Sequence, residues 1–388
     1  MFPSPLRSTV RVLLAVCLLL STALPARSQP REPAGRGLTH AQALPCASTP
    51  DATPHGLAVV LPSGENHYRN MNLQVLKNPF MSGVSVQINW RDLEPIRGQP
   101  DWSKLDALFE AAESSHKWVY LMIFPGFFSP AWALEGAQTD LFEIQYGPGH
   151  GAVARLPMPW DPVYLDRWFD FVRQLSQRYG TSPAFRMIAV AGPTSVSVEM
   201  TLPNSPPAHR RWLADSYTPA KYMDAWERAL HVYAAAFPNQ CISVVAPNLP
   251  ILGPGTRKRD RRQAHLHTKY DVVDRAMRVL GNRLAIQSCD LHAGRAKVEA
   301  PDETDFIKSY SGRIITGFEM RGGSQSPLAS KVMGAEGNPP LALRRSIDKG
   351  MAPNDRGRHI DYLEIYEGDV LPAEMQPVLR YAASLFHQ

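Results

Sequence analysis

The chain has 388 residues, 44% of them hydrophobic, and 41 Lys and Arg against 36 Asp and Glu give it a formal net charge of +5. That is enough apolar material for a large core, in one big domain or two ordinary ones. No stretch after the N-terminal segment reaches transmembrane length, no Cys-x-x-Cys or His/Cys spacing suggests a metal, and the basic excess is mostly local, in Arg257–Arg262.

Residues 1–28 have the form of an export signal. Arg7 and Arg11 make a positive start, Val12–Leu20 an apolar run, and Ala26-Arg27-Ser28 a small-x-small site before Gln29. Lipidation at Cys17 is not expected, because Val16 rather than a small residue precedes it. The expectation is a secreted or periplasmic protein with no membrane span. Residues 29–54, rich in Pro, Ala, Gly and Arg, read as a flexible lead-in, and 55–388 as one domain. Cys46, Cys241 and Cys289 follow the signal. Their odd number means at least one free thiol or an intermolecular bridge.

Strands and helices then alternate. The strands are expected at Gly56–Leu61, Gly83–Asn89, Trp118–Phe124, Met187–Ala191, Ile242–Ala246, Leu284–Ser288, Ile314–Phe318 and Ile360–Tyr366. Asp101 caps a helix with apolar residues at helical spacing. Asp161-Pro162 starts another, which runs to Tyr179 and stops at Gly180. Further helices are expected at Pro219–Phe237, around Val272–Leu280 and at Ala373–Phe386. The long aromatic, Gly-rich and Pro-rich segment Phe127–Asp161 resembles a binding loop. Eight such units predict an α/β fold, a (β/α)8 TIM barrel. An open doubly wound sheet is the competing architecture, but no Gly-x-Gly-x-x-Gly or phosphate loop supports it.

In a barrel the C-terminal ends of all strands share one mouth. The candidates there are Asn89, Trp90 and Arg91 after strand two and Trp132 after strand three. Glu199 follows strand four, Asn248 strand five and His292 strand six. Glu319 and Arg321 end strand seven, and Glu364 and Tyr366 belong to strand eight. Paired carboxylates among aromatics, with no metal set, suit carbohydrate chemistry: one acid protonates the leaving oxygen, and a second carboxylate attacks the anomeric carbon or activates water. Trp90 and Trp132 serve either as core or as sugar-stacking platforms, Glu364 either in the site or in an ion pair, and Glu94 in a structural contact. Arg321 is expected to hold Glu319 ionised.

The run Gly83-Val84-Ser85-Val86-Gln87-Ile88-Asn89-Trp90-Arg91-Asp92-Leu93-Glu94-Pro95, then Asp101-Trp102-Ser103-Lys104-Leu105-Asp106, resembles the second-strand region of clan A glycoside hydrolases. The β-galactosidase-like and family-5-like members are nearest in pattern. Phe128-Ser129-Pro130-Ala131-Trp132 and Pro157-Met158-Pro159-Trp160-Asp161-Pro162 continue it. The resemblance implies a retaining hydrolase of oligo- or polysaccharides that needs no cofactor, with its acid/base Glu after strand four and its nucleophile Glu at the end of strand seven. Carried over by position, these are Glu199 and Glu319. The chain departs from the clan in one place. No Asn precedes Glu199, which stands seven residues past Gly192, so a barrel that binds carbohydrate without cleaving it is the alternative. Nucleic acid is not expected as a partner, because no aromatics interleave the basic run. That run, read as a loop after strand five, predicts a modest preference for acidic glycans.

Overall fold

The computed structural model describes residues 53–63, 68–147, 149–247, 258–294 and 303–387, and the backbone alone for 258–267. The signal-like segment, nearly all of the lead-in, Cys46, Asn248 and the side chains of Arg257–Arg262 lie outside the described residues.

Among the described residues there are ten strands: β1 (Gly56–Leu61), β2 (Gly83–Asn89), β3 (Trp118–Phe124), β4 (Thr139–Glu143), β5 (Val153–Pro157), β6 (Phe185–Ala189), β7 (Cys241–Val245), β8 (Leu284–Leu291), β9 (Ile315–Met320) and β10 (Tyr362–Tyr366). Eight of them close a parallel barrel in the order β1-β10-β9-β8-β7-β6-β3-β2. The expected (β/α)8 architecture is therefore the observed one. Every residue of β1, β3 and β7 is buried, as in strands that face a filled interior on one side and helices on the other.

Local signals set the surrounding helices. The Asp161 carboxylate accepts the Tyr164 N–H (2.8 Å), Pro162 opens the helix Pro162–Tyr179, and Leu165, Trp168, Phe169, Val172 and Leu175 bury its inner stripe. Thr218 caps the helix Pro219–Ala236 in the same way. The bounds of the last five barrel strands shift by one to three residues from those expected, and three further expectations change. The supposed basic loop is the start of one long helix, Lys258–Leu280. The C-terminal helix is Gln376–Ser384, flanked by 3-10 turns. The segment after β3 is not a plain loop, because β4 and β5 pair within it as an antiparallel hairpin.

Trp90 belongs to this framework rather than to the mouth. It has no exposed surface, and its ring packs edge-on against Trp132 and Trp168 and near Tyr164 and Phe171. Its indole N–H donates to Glu94 (3.1 Å), whose other oxygen accepts the Gly98 N–H (2.8 Å). Glu94 is thus the structural contact expected of it. The short helix Trp90–Leu93 begins where β2 ends and carries the ring outward, between the barrel and the helix Pro162–Tyr179. Truncating such a ring typically costs about 3–5 kcal/mol.

Candidate active site

The carboxylate after the fourth barrel strand reaches its place by an unusual path. β6 ends at Ala189, and the Val190 N–H still donates to Ser243 O on β7 (2.9 Å). The chain then leaves the sheet and returns. Glu199 forms a parallel bridge with Val245, and the Met200 N–H donates to Val245 O (3.1 Å). Glu199 therefore stands beside the C-terminal end of β7, on the line β6 would have followed. The excursion explains how a Glu seven residues past Gly192, with no Asn before it, still faces the mouth.

The detour is held in place. Gly192 (φ +119°) lets the backbone pass the Trp168 ring, which a Cβ would meet at 2.6 Å. The Phe127 N–H donates to Ser195 O (2.9 Å), and the Ser195 hydroxyl donates to Thr201 O (2.8 Å). Gly126 (φ +64°) lies so close that a Cβ there would stand 2.2 Å from Ser195 O. Gly126→Ala should destabilise the fold by more than about 1 kcal/mol and cut turnover, because the clash is with backbone and the loop it displaces carries Glu199. Thermal unfolding together with kcat checks this.

Glu199 and Glu319 line one cleft of about 600 Å³. Glu319 is 3% exposed. Its Oε1 accepts from the Gln87 amide (3.0 Å) and the Tyr366 hydroxyl (2.5 Å). Burial raises its pKa above the ordinary carboxylate range, opposed by the Tyr366 hydroxyl, the Cys289 thiol and the Gln87 amide. Glu199 is half-buried where it lines the cleft, and its carboxyl group takes the Ser197 hydroxyl on Oε2 (3.2 Å). Its pKa is pushed up to about 7, first by burial, then by the charge of Glu319 and that of Glu303, against the Ser197 and Tyr146 hydroxyls. One carboxyl group is thus poised as an acid near neutrality beside a second that is held by donors. That difference of environment separates an acid from a nucleophile.

Sequence reading missed several residues of this cleft. Tyr146, next to the β4–β5 turn, lines it and shares a hydrogen bond with Thr201. The turn carries Gly147, Gly149 and Gly151, all with positive φ. Cys289 lines the cleft and is free, and Cys241 is disulfide-bonded. Two ion pairs flank the carboxylates: Lys269 with Glu303 (3.6 Å) and Arg321 with Asp290 (2.9 Å).

Of the residues proposed from sequence, Glu199, Glu319, Arg321 and Tyr366 line the cleft. Arg321 pairs with Asp290, and the groups that favour ionised Glu319 are Tyr366, Cys289 and Gln87, so the expectation that Arg321 does so is corrected. β9 ends at Met320, and beyond it the guanidinium turns toward Asp290, next to the end of β8. Asn89 is buried, with its amide donating to Asp92 (2.9 Å). Arg91 is exposed and lies over the Phe128 ring. Trp132 is half-buried and donates to Glu94 O (3.0 Å), and His292 stands 4.0 Å from Asp290. None of these four, nor Trp90, lines the cleft. Glu364 has no exposed surface and lies in register with Glu319, but it does not line the cleft.

Residues 64–235 match the β-galactosidase model of glycoside hydrolase family 42. The matched stretch includes Glu199 and ends before Glu319. No curated protein matches the sequence. Among solved structures, the catalytic domain of β-amylase from Paenibacillus polymyxa is 11% identical and aligns over 83% of this chain and 94% of that one, with a TM-score of 0.51. Xylanase 10B from Thermotoga maritima is 7% identical over 87% and 98% of the two chains, with a TM-score of 0.49. The likeness to the β-amylase shows the barrel fold. In sequence over residues 64–235, and in its (β/α)8 barrel, the chain resembles the clan A glycoside hydrolases.

Proposed function

We propose that this protein is a retaining glycoside hydrolase in which Glu199 is the acid/base and Glu319 the nucleophile. Glu199 protonates the glycosidic oxygen as the bond breaks. Glu319 attacks the anomeric carbon and forms a glycosyl ester. Glu199, by then a carboxylate, takes a proton from water, which hydrolyses the ester and restores both groups. Esterification removes the charge of Glu319, one of the causes that keep Glu199 protonated. The same residue is thereby an acid in the first step and a base in the second.

The observation that carries this reading is the pair itself: half-buried Glu199, its pKa pushed up to about 7, lines one cleft with the buried Glu319. A cleft of about 600 Å³ suits a few sugar units of an oligo- or polysaccharide. β-Galactosides are the first substrates to try, because the matched family is named for them. The test is turnover by the purified protein of a panel of aryl β-glycosides, headed by the galactoside, and of polysaccharides. Sugar binding without turnover of any member would leave a non-catalytic carbohydrate-binding barrel.

Export is part of the same proposal. The signal-like start supports it, as does the disulfide-bonded Cys241, since such bonds persist mainly in oxidising compartments. The mature chain should begin near Gln29 without lipid, as intact-mass measurement of the exported protein would show. A mass retaining residues 1–28, or one with acyl chains on Cys17, would overturn it.

A further inference from the structure

β8 sends two residues toward the interior that the proposed chemistry leaves unused, Gln287 and Cys289. Gln287 has no exposed surface. Its side-chain oxygen accepts from the Tyr362 hydroxyl (2.8 Å), and its amide nitrogen faces both Glu364 Oε2 and Cys289 Sγ (3.7 Å). With the amide oriented so that its oxygen takes the Tyr362 hydroxyl, the nitrogen has one hydrogen for each of its two partners. With an amide hydrogen on the sulfur, the thiol proton is directed elsewhere, and Glu319 lies beside it. Glu319 Oε1 already takes two donors, whereas Oε2 is buried and has no hydrogen-bond partner, so a thiol proton turned toward it would meet an acceptor that is still free.

We propose that Cys289 is a positioning residue for the nucleophile, its S–H oriented by Gln287 and donated to Glu319, where it helps keep that group a carboxylate aimed into the cleft. The inference rests on the reading of Glu319 as nucleophile.

The charges around the pair make a weak donor matter. Facing Cys289 and Glu319 are Glu364 and Tyr366 from β10, Glu199 from the bridge beyond β6, and Tyr120 from β3. Gln87 on β2 and Ser243 on β7 carry no charge. Asp290, next to Cys289 on β8, is paired with Arg321, and Lys269 with Glu303. Among the described residues, both cations that line the cleft are thus committed to other acids. The negative charge of Glu319 therefore depends on neutral donors: Gln87 and Tyr366 serve Oε1, and the thiol is the group placed to serve Oε2. Burial, followed by the three glutamates, pushes the thiol itself well up, so it remains a donor rather than a thiolate. Glu364, buried and beside the charge of Glu319, is likewise pushed well up, and in its neutral form it still accepts from Gln287.

The test compares Cys289→Ala and Cys289→Ser with the wild type through the pH dependence of kcat/KM on an aryl glycoside. Loss of a donor to the ionised form makes Glu319 harder to ionise. The acidic limb of the alanine variant should therefore move to higher pH by about half a unit or more. The serine variant, with a hydroxyl donor, should place it at or below the wild-type position, and KM should change little in either. If Cys289→Ala does not fold, Cys289→Val fills the site without a donor and takes its place. An acidic limb that does not move in the folded donor-free variant overturns the proposal. Glu319→Gln serves as the control: retained turnover there would refute the nucleophile assignment itself, whereas its loss alongside an unmoved limb in Cys289→Ala refutes the thiol's role alone.

Discussion

Glu319→Gln should reduce turnover of every substrate by on the order of 10⁵-fold, the scale on which loss of a covalent nucleophile acts. The amide nearly matches the carboxylate in shape. Its oxygen can still accept from Gln87 and Tyr366, so the barrel should remain closed. Stability should not suffer. Burial raises the pKa of folded Glu319 above the value of an unfolded Glu, so the folded state binds the proton more tightly. The contribution of this group is therefore full below the unfolded pKa and is lost as pH rises through the folded one. Glutamine has no proton to lose, and the variant should melt at or above the wild-type temperature at pH 8. Circular dichroism melts and single-turnover kinetics decide the matter. Wild-type turnover in the folded variant would end the nucleophile assignment.

How far the sequence reveals this site depends on period and on path. β1, β2 and β3 begin and end where the sequence predicts, because β1 and β3 are apolar runs and β2 alternates apolar with polar residues. The helix Pro162–Tyr179 likewise follows from Asp161, Pro162 and Gly180. The donors around Glu319 were accessible to the same reasoning. With Val84, Val86 and Ile88 on one face of β2, Ser85 and Gln87 must occupy the other, and in a closed barrel that other face is the interior. Cys289 follows Gln287 by two residues on β8, and Tyr366 follows Glu364 by two on β10, in the same alternation. Tyr146 had no such signal. It reaches the cleft only because β4 and β5 pair, a tertiary event that the Gly-rich run 147–151 permits without specifying. The sequence leaves Trp90 open between core and sugar platform, because position after a strand does not say whether a ring turns inward or outward. The return of the chain to β7 at Glu199 is a matter of path, set by contacts of residues 190–198 with the loop after β3 that no local pattern encodes.

Glu199→Gln should separate substrates by leaving group. A poor leaving group needs its oxygen protonated as the bond breaks, and removal of a general acid there typically costs about 10²–10⁴-fold. A good leaving group departs unaided, so the first step on an activated aryl glycoside should be little changed. The second step also loses its base, so the glycosyl ester should build up and appear as a burst of aryl release followed by slow turnover. The pH profile supplies an independent check. The acid must hold its proton, and burial together with Glu319 keeps it protonated to about 7. In the wild type, kcat/KM should therefore fall as pH rises past about 7, and in Glu199→Gln that limb should vanish. The coupling can be followed without turnover by carboxyl NMR of ¹³C-labelled Glu199. In Glu319→Gln the titration of Glu199 should move to lower pH, because a like charge has been removed. It should nevertheless stay above the ordinary Glu range, because burial is the larger cause. An alkaline limb unchanged in Glu199→Gln, with equal loss on good and poor leaving groups, would mean that another group supplies the proton.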